Sequence, residues 1–202
     1  MVPADGEAPP AGEPPAGVAP AGELPVLTTI GHGTLGVDEL GGLLARERLV
    51  HVVDVRSFPG SRRHPHFGRA QLEQWLPAAG IAYSWEPRLG GRRQGVAGSA
   101  HPALRHDAFR AYADHMDTDE FRAGLDDLVA RSAGGAVVVM CAESLWWRCH
   151  RRLLADALVA RRGVAVEHLF HDGHRARHAV TPEARRVGDR LVYDVGATPS
   201  LW

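Results

Sequence analysis

Residues 136–163 read AVVVMCAESLWWRCHRRLLADALVARRG, and the order of textures in this stretch decides the fold. Residues 136–140 are uniformly apolar and mostly β-branched, the pattern of a strand buried on both faces at the centre of a parallel sheet. A polar loop follows. Residues 148–162 then place Leu153, Leu154, Ala157 and Leu158 on one helical face, and Gly163 is the expected stop. Residues 164–170 form the next β-rich run. The same alternation extends towards the N-terminus. Residues 26–30 form a strand ending at Gly31, and 37–48 a helix with Leu40, Leu43 and Leu44 on one side. Residues 49–55 form a strand containing Asp54, residues 69–79 a helix carrying Leu72, Trp75 and Leu76, and residues 81–85 a third strand. Thr118 is placed to cap a helix whose first turn carries Asp119 and Glu120, with Phe121, Leu125, Leu128 and Val129 as its buried stripe. Strand and helix alternating in this way predict a mostly parallel sheet with helices on both faces.

The 202 residues, 45% hydrophobic and 23% charged, describe an ordinary globular chain and exclude fibrous and wholly disordered classes. No apolar run approaches the ~18 residues of a membrane helix, and residues 1–25 have neither a basic start nor an apolar core, so a cytoplasmic protein is expected. Residues 1–25 contain 7 prolines, 6 alanines and 4 glycines, the composition of a disordered leader. One domain over 26–196 and a short tail at 197–202 follow. The leader holds four acids and no arginine, so the remainder carries 23 arginines against 20 acids and is mildly basic. Every cation is an arginine, which suits planar recognition of phosphate or carboxylate and excludes lysine Schiff-base chemistry. Two cysteines, Cys141 and Cys149, are too few for a disulfide scaffold.

In an open parallel sheet the site lies beyond the carboxyl ends of the strands. The loops expected there are polar: His32 between two glycines, Asp54 and Arg56, Ser61 and Arg62, Gly90 before Gly91, then Cys141, Glu143, Cys149, His150 and Arg151. His32 suits general acid or base work. Asp54 ends a buried run and needs a partner, for which Arg56, two positions on and on the same strand face, is the nearest choice. Cys141 precedes a helix bearing Arg148 and Arg151, surroundings that stabilise a thiolate and bind an anion. The layout is similar to phosphatase and sulfurtransferase loops, but the interval from Cys141 to Arg148 is longer and Glu143 sets an acid in the cradle. A zinc reading of Cys141, Cys149 and His150 is set aside because adjacent Cys and His side chains are expected to diverge. No metal or cofactor is therefore expected. The basic loops at 60–69 and 88–93 form either an electropositive mouth or solvated surface. Trp146 and Trp147 either stack a base or cover the core.

Four ordered motifs, TIGHGT at 29–34, DVRSFPGSRRHPHF at 54–67, LGG at 89–91 and CAESLWWRCHR at 141–151, resemble the family called domain of unknown function 488, over about residues 27–178. The resemblance implies an α/β, Rossmann-like three-layer sandwich and a polar pocket holding His32, Asp54, Arg56, Ser61, Arg62, Gly90, Cys141, Glu143, Cys149, His150 and Arg151. Gly33 stands where many relatives have serine, which moves any hydroxyl role there to Thr34.

The expectation is an enzyme, a hydrolase or transferase, acting on an anionic, phosphate-bearing partner such as a nucleotide or nucleic acid. Arg56, Arg62 and Arg151 would hold the anion, with Ser61, Gly90 and His150 beside it. Cys141 or Glu143 would carry the chemistry, supported by His32 and Asp54. The alternative is a non-catalytic nucleic-acid or ligand-binding module, linked to DNA repair, in which the arginines contact phosphate and the thiols only pack.

Overall fold

The computed structural model describes residues 26–60 and 64–197. The expected leader, 1–25, and tail residues 198–202 lie outside the described residues, as do Ser61 and Arg62. Strands β1 (Val26–Gly31), β2 (His51–Asp54), β3 (Ala82–Trp85), β4 (Val137–Cys141), β5 (Ala165–Leu169) and β6 (Arg175–Arg177) form one sheet in the order β3-β2-β4-β1-β5-β6. The first five strands of that order run parallel, and β6 closes the edge antiparallel to β5. The strand expected to be central, β4, lies between β2 and β1 and is buried along its whole length.

Helices α1 (Val37–Arg46) and α2 (Arg69–Ala78) connect strands in one direction across the sheet, and α3 (Asp107–His115), α4 (Asp119–Ser132) and α5 (Arg151–Arg162) connect them in the other. Right-handed crossovers therefore put the first two on one face and the last three on the opposite face. The two apolar clusters record this division. Leu40, Leu44, Leu72 and Leu76 pack with Val52, Val138 and Met140, whereas Tyr112, Phe121, Leu125 and Leu154 pack with Val53, Val137, Val139 and Cys141. Successive residues of β4 alternate between the clusters, as the pleat requires. The result is a three-layer α/β sandwich. Thr118 caps α4 by accepting from Phe121 N, and Gly163, at φ 67°, ends α5.

Helix α3, the antiparallel β6 and the hairpin β7 (Ala184–Val187) with β8 (Arg190–Tyr193) extend what the sequence predicts. The hairpin buries Leu191 and Tyr193 in the cluster under α3–α5. A hydrogen-bonded chain links it to the sheet. Arg151 Nη1 donates to Thr29 Oγ1 at 3.3 Å, Thr29 Oγ1 lies 2.7 Å from His168 Nδ1, His168 Nε2 3.0 Å from His178 Nδ1, and His178 Nε2 2.8 Å from Asp156 Oδ1. Asp156 also accepts from Tyr193 Oη and Thr181 N. Burial, followed by the neighbouring His178, lowers the His168 pKa to about 3, so this ring is neutral. Arg151 donates at one end of this chain and Asp156 stands at the other. Among the described residues, no helix is long and apolar enough to cross a membrane.

Candidate active site

Because β1, β2, β3 and β4 are parallel, the loops after them leave the same edge of the sheet. The strand ladder continues a step past β1 and β4, with His32 N donating to Cys141 O and Gly33 N to Ala142 O, both at 2.9 Å. A cavity of about 890 Å³ opens at this edge. Of the expected site residues, Arg56, Cys141, Glu143, Cys149 and His150 line it.

The wall that ends β2 is built on the expected pair. Asp54 is fully buried and Arg56 is 6% exposed. Arg56 Nε donates to Asp54 Oδ1 at 2.8 Å and Nη2 to Oδ2 at 2.6 Å, while Arg56 N and Tyr83 Oη also donate to the carboxylate. Arg56 Nη2 reaches Phe67 O as well. Burial and the adjacent Asp54 charge push the Tyr83 phenol up, so it remains a donor. His32 lies behind this pair, its Nε2 3.4 Å from Arg56 Nη1 and its Nδ1 3.1 Å from Gly33 O. Burial first, and Arg56 second, lower its pKa to about 4. It is a neutral ring that accepts from Arg56 and donates to Gly33 O. Neither His32 nor Asp54 lines the cavity; both set the orientation of Arg56.

The opposite wall is built by β4 and the start of α5. The sequence places the helix start at 148, but a 3-10 turn, Trp146–Arg148, intervenes and α5 begins at Arg151. That turn folds Cys149 and His150 back over Cys141. His150 Nδ1 is 3.5 Å from Cys149 Sγ and 3.9 Å from Cys141 Sγ. The expected divergence of the adjacent Cys and His side chains, on which the zinc reading was set aside, is therefore corrected. All three ligand atoms lie within 4.8 Å of one another. The hydrogen bond between the two thiols lowers Cys149 and raises Cys141, with His150 and Arg151 adding to the first effect and burial to the second. Of the two, Cys149 is thus the more acidic thiol, where the sequence reading favoured Cys141.

Arg151 is buried beneath this wall and does not line the cavity. Its Nη2 donates to the carbonyls of Glu143 and Ser144, pinning the loop after β4. Gly31 makes room for that loop, since a Cβ there would overlap the Glu143 carbonyl. Glu143 itself is exposed, and its Oε1 accepts from Leu145 N at 3.1 Å. The burial on which its role as acid or base depended is absent. The backbone of Gly90 packs against Ser57, and a Cβ on Gly91 would overlap the imidazole of His150. The LGG motif is a close backbone approach that seats both walls.

Further features line the cavity: the 88–93 loop, Arg148 and Trp147 entered the sequence reading among its alternatives, whereas Phe58 and Phe109 were given no role in it. Arg92 and Arg148 line the cavity, are exposed, and have no carboxylate partner among the described residues. The guanidinium of Arg92 lies 5.8 Å from the Phe58 ring. Phe58 and Trp147 are 70% and 44% exposed at the same cavity, whereas Trp146 stacks on His168 with ring centroids 4.1 Å apart. Of the tryptophan pair, Trp146 thus packs inward and Trp147 stays exposed at the cavity. Phe109, from the unpredicted α3, completes the lining, and the spacing of Phe109, Tyr112 and Met116 carries the helical signal that could have located it.

Fold and site together define an α/β protein with a polar cavity at the carboxyl edge of a parallel sheet. A family model described as domain of unknown function DUF488 matches residues 36–158, more than half of the chain, and the protein belongs to that family. The match spans the motifs at 54–67, 89–91 and 141–151 and begins after the one at 29–34. No curated protein and no solved structure matches the chain significantly.

Proposed function

We propose that this protein is an enzyme that hydrolyses a small phosphate-bearing substrate, of the size of a nucleotide, or transfers a group from it. The reading rests on one observation: Arg92 and Arg148, unpaired with carboxylates among the described residues, face the same cavity as Cys141, Cys149 and His150. An exposed guanidinium beside reactive groups is a place for an anion, and its planar donors suit phosphate oxygens. The volume lies within the range of small-ligand pockets, roughly 300–1,000 Å³. Phe58 and Trp147 offer faces for a heterocycle. The Cys149 and His150 side chains, in contact through Sγ and Nδ1, form the reacting centre, and Arg56, held by Asp54, walls its edge.

The test is a panel of nucleotides, phosphate monoesters and short single-stranded DNA, scored for turnover and binding. Wild type is expected to turn over a phosphate-bearing member. Cys149→Ser should abolish that turnover, and the double change Arg92→Ala with Arg148→Ala should raise KM. Salt-dependent DNA binding without turnover would replace this reading with the binding module. Neither turnover nor anion binding would overturn both.

A further inference from the structure

We infer that Cys141, Cys149 and His150 form a site for one zinc-type divalent ion, with its fourth coordination position open to the cavity. This site stands whether or not the cavity takes a phosphate-bearing substrate. The first support is distance. A tetrahedral zinc ion with bonds of about 2.3 Å to sulfur and about 2.05 Å to nitrogen sets a sulfur and a nitrogen ligand roughly 3.6 Å apart. His150 Nδ1 lies 3.5 Å from one sulfur and 3.9 Å from the other, so both sulfur–nitrogen edges are close to those of such a tetrahedron, and the two sulfurs lie within 4.8 Å of each other.

The second support is the donor set. Two thiolates and an imidazole select zinc over the hard ions magnesium and calcium, which take oxygen ligands. The third is placement. All three residues line the cavity, which gives three protein ligands and one free corner, the arrangement of catalytic rather than structural zinc. The ring nitrogen of His150 away from the sulfurs, Nε2, is buried without a hydrogen-bond partner among the described residues. Gly91 keeps the ring in place, because any side chain at that position would displace it. Rigid supports fix the sulfurs: Cys141 ends the central strand, and Cys149 immediately precedes the first residues of α5. A zinc ion at this point would polarise water or a phosphoryl oxygen at its open corner.

The full chain, stripped of metal and titrated with cobalt, tests this directly. One equivalent of cobalt should give a near-ultraviolet thiolate-to-cobalt charge-transfer band and the intense visible bands of a tetrahedral ion, and one equivalent of zinc should abolish both. Cys141→Ser, Cys149→Ser and His150→Ala should each lose stoichiometric binding, with circular dichroism reporting which variants remain folded. The wild-type spectrum decides independently of the variants: weak octahedral bands, or no saturation at one equivalent, would overturn the site. The double change Arg92→Ala with Arg148→Ala should retain the cobalt spectrum. An ion site without anion binding would leave this inference standing and remove the proposed function; anion binding without the spectrum would do the reverse.

Discussion

The two walls of the cavity treat charge in opposite ways. On the wall that ends β2, both oxygens of Asp54 accept hydrogen bonds and Arg56 is engaged by Asp54, Phe67 and His32. Across from it, Arg92 and Arg148 have no carboxylate among the described residues, and two thiols and an imidazole face one another with Arg151 behind them. The comparison separates two meanings of a polar residue at a strand end. Where burial is complete and every atom is matched, the group holds the fold. Where partners are missing at an open cavity, the group awaits a ligand.

The comparison is broken most severely by removing one member of the saturated wall. Asp54→Ala leaves Arg56 charged and buried, and unfolding in urea should show a loss of about 3–5 kcal/mol. A loss below about 1 kcal/mol would mean that water reaches Arg56 and the wall is less closed than its geometry states. Next in size, Gly91→Ala forces the His150 imidazole aside, and thermal unfolding should register about 1–3 kcal/mol from overpacking. The same variant should shift the reactivity of Cys149 towards iodoacetamide, which peptide mass analysis reads separately from Cys141.

Acid should act on the buried histidines rather than on the open wall. His32 and His168 are held neutral, with pKa values of about 4 and about 3 against 6.5 for the unfolded chain. Below about pH 6.5 the unfolded state takes up these protons and the folded state does not. The stability present above that pH is therefore lost progressively as pH falls towards 4 and 3, at up to about 1.4 kcal/mol per pH unit for each ring. Urea midpoints measured between pH 7 and pH 4 check this, and His168→Gln should flatten the slope. The smallest effect on stability belongs to Arg92→Ala and Arg148→Ala, each expected within about 0.5 kcal/mol of wild type. These two variants sharpen the contrast, since they should remove salt-dependent anion binding while the urea midpoint stays in place.

Most of the sheet was legible because periodicity reports burial directly: the run 136–140 could only be a strand buried on both faces, and Leu40, Leu43 and Leu44 could only share a helix face. The Asp54–Arg56 pair was legible for the same reason, since residues two apart on a strand point the same way. Helix α3 went unread although Phe109, Tyr112 and Met116 carry its period, because the glycine- and proline-bearing segment 95–102 before it gave no clear helix start. The convergence of Cys149 and His150 on Cys141 was hidden by the turn at Trp146–Arg148, whose effect is to reverse the chain, something spacing alone does not encode. Arg151 misled for a different reason. An arginine in the first turn of a helix beside a cysteine suggests an anion cradle, whereas the two terminal nitrogens of this guanidinium are engaged by backbone carbonyls and a threonine.

The hydrogen-bonded chain from Arg151 to Asp156 has a kinetic consequence. Its members come from β1, β5, α5 and the segment after β6, and its first link clamps the loop that follows β4. Releasing that loop means breaking the bonds that buried Arg151 makes to the Glu143 and Ser144 carbonyls, so its displacement should be tied to openings of the core. The wall formed by the loop after β4 is then held in place before anything arrives. Association should proceed as a single-step encounter set by diffusion and charge, without a slow closing phase, and differences in residence time between ligands should arise in how fast they leave.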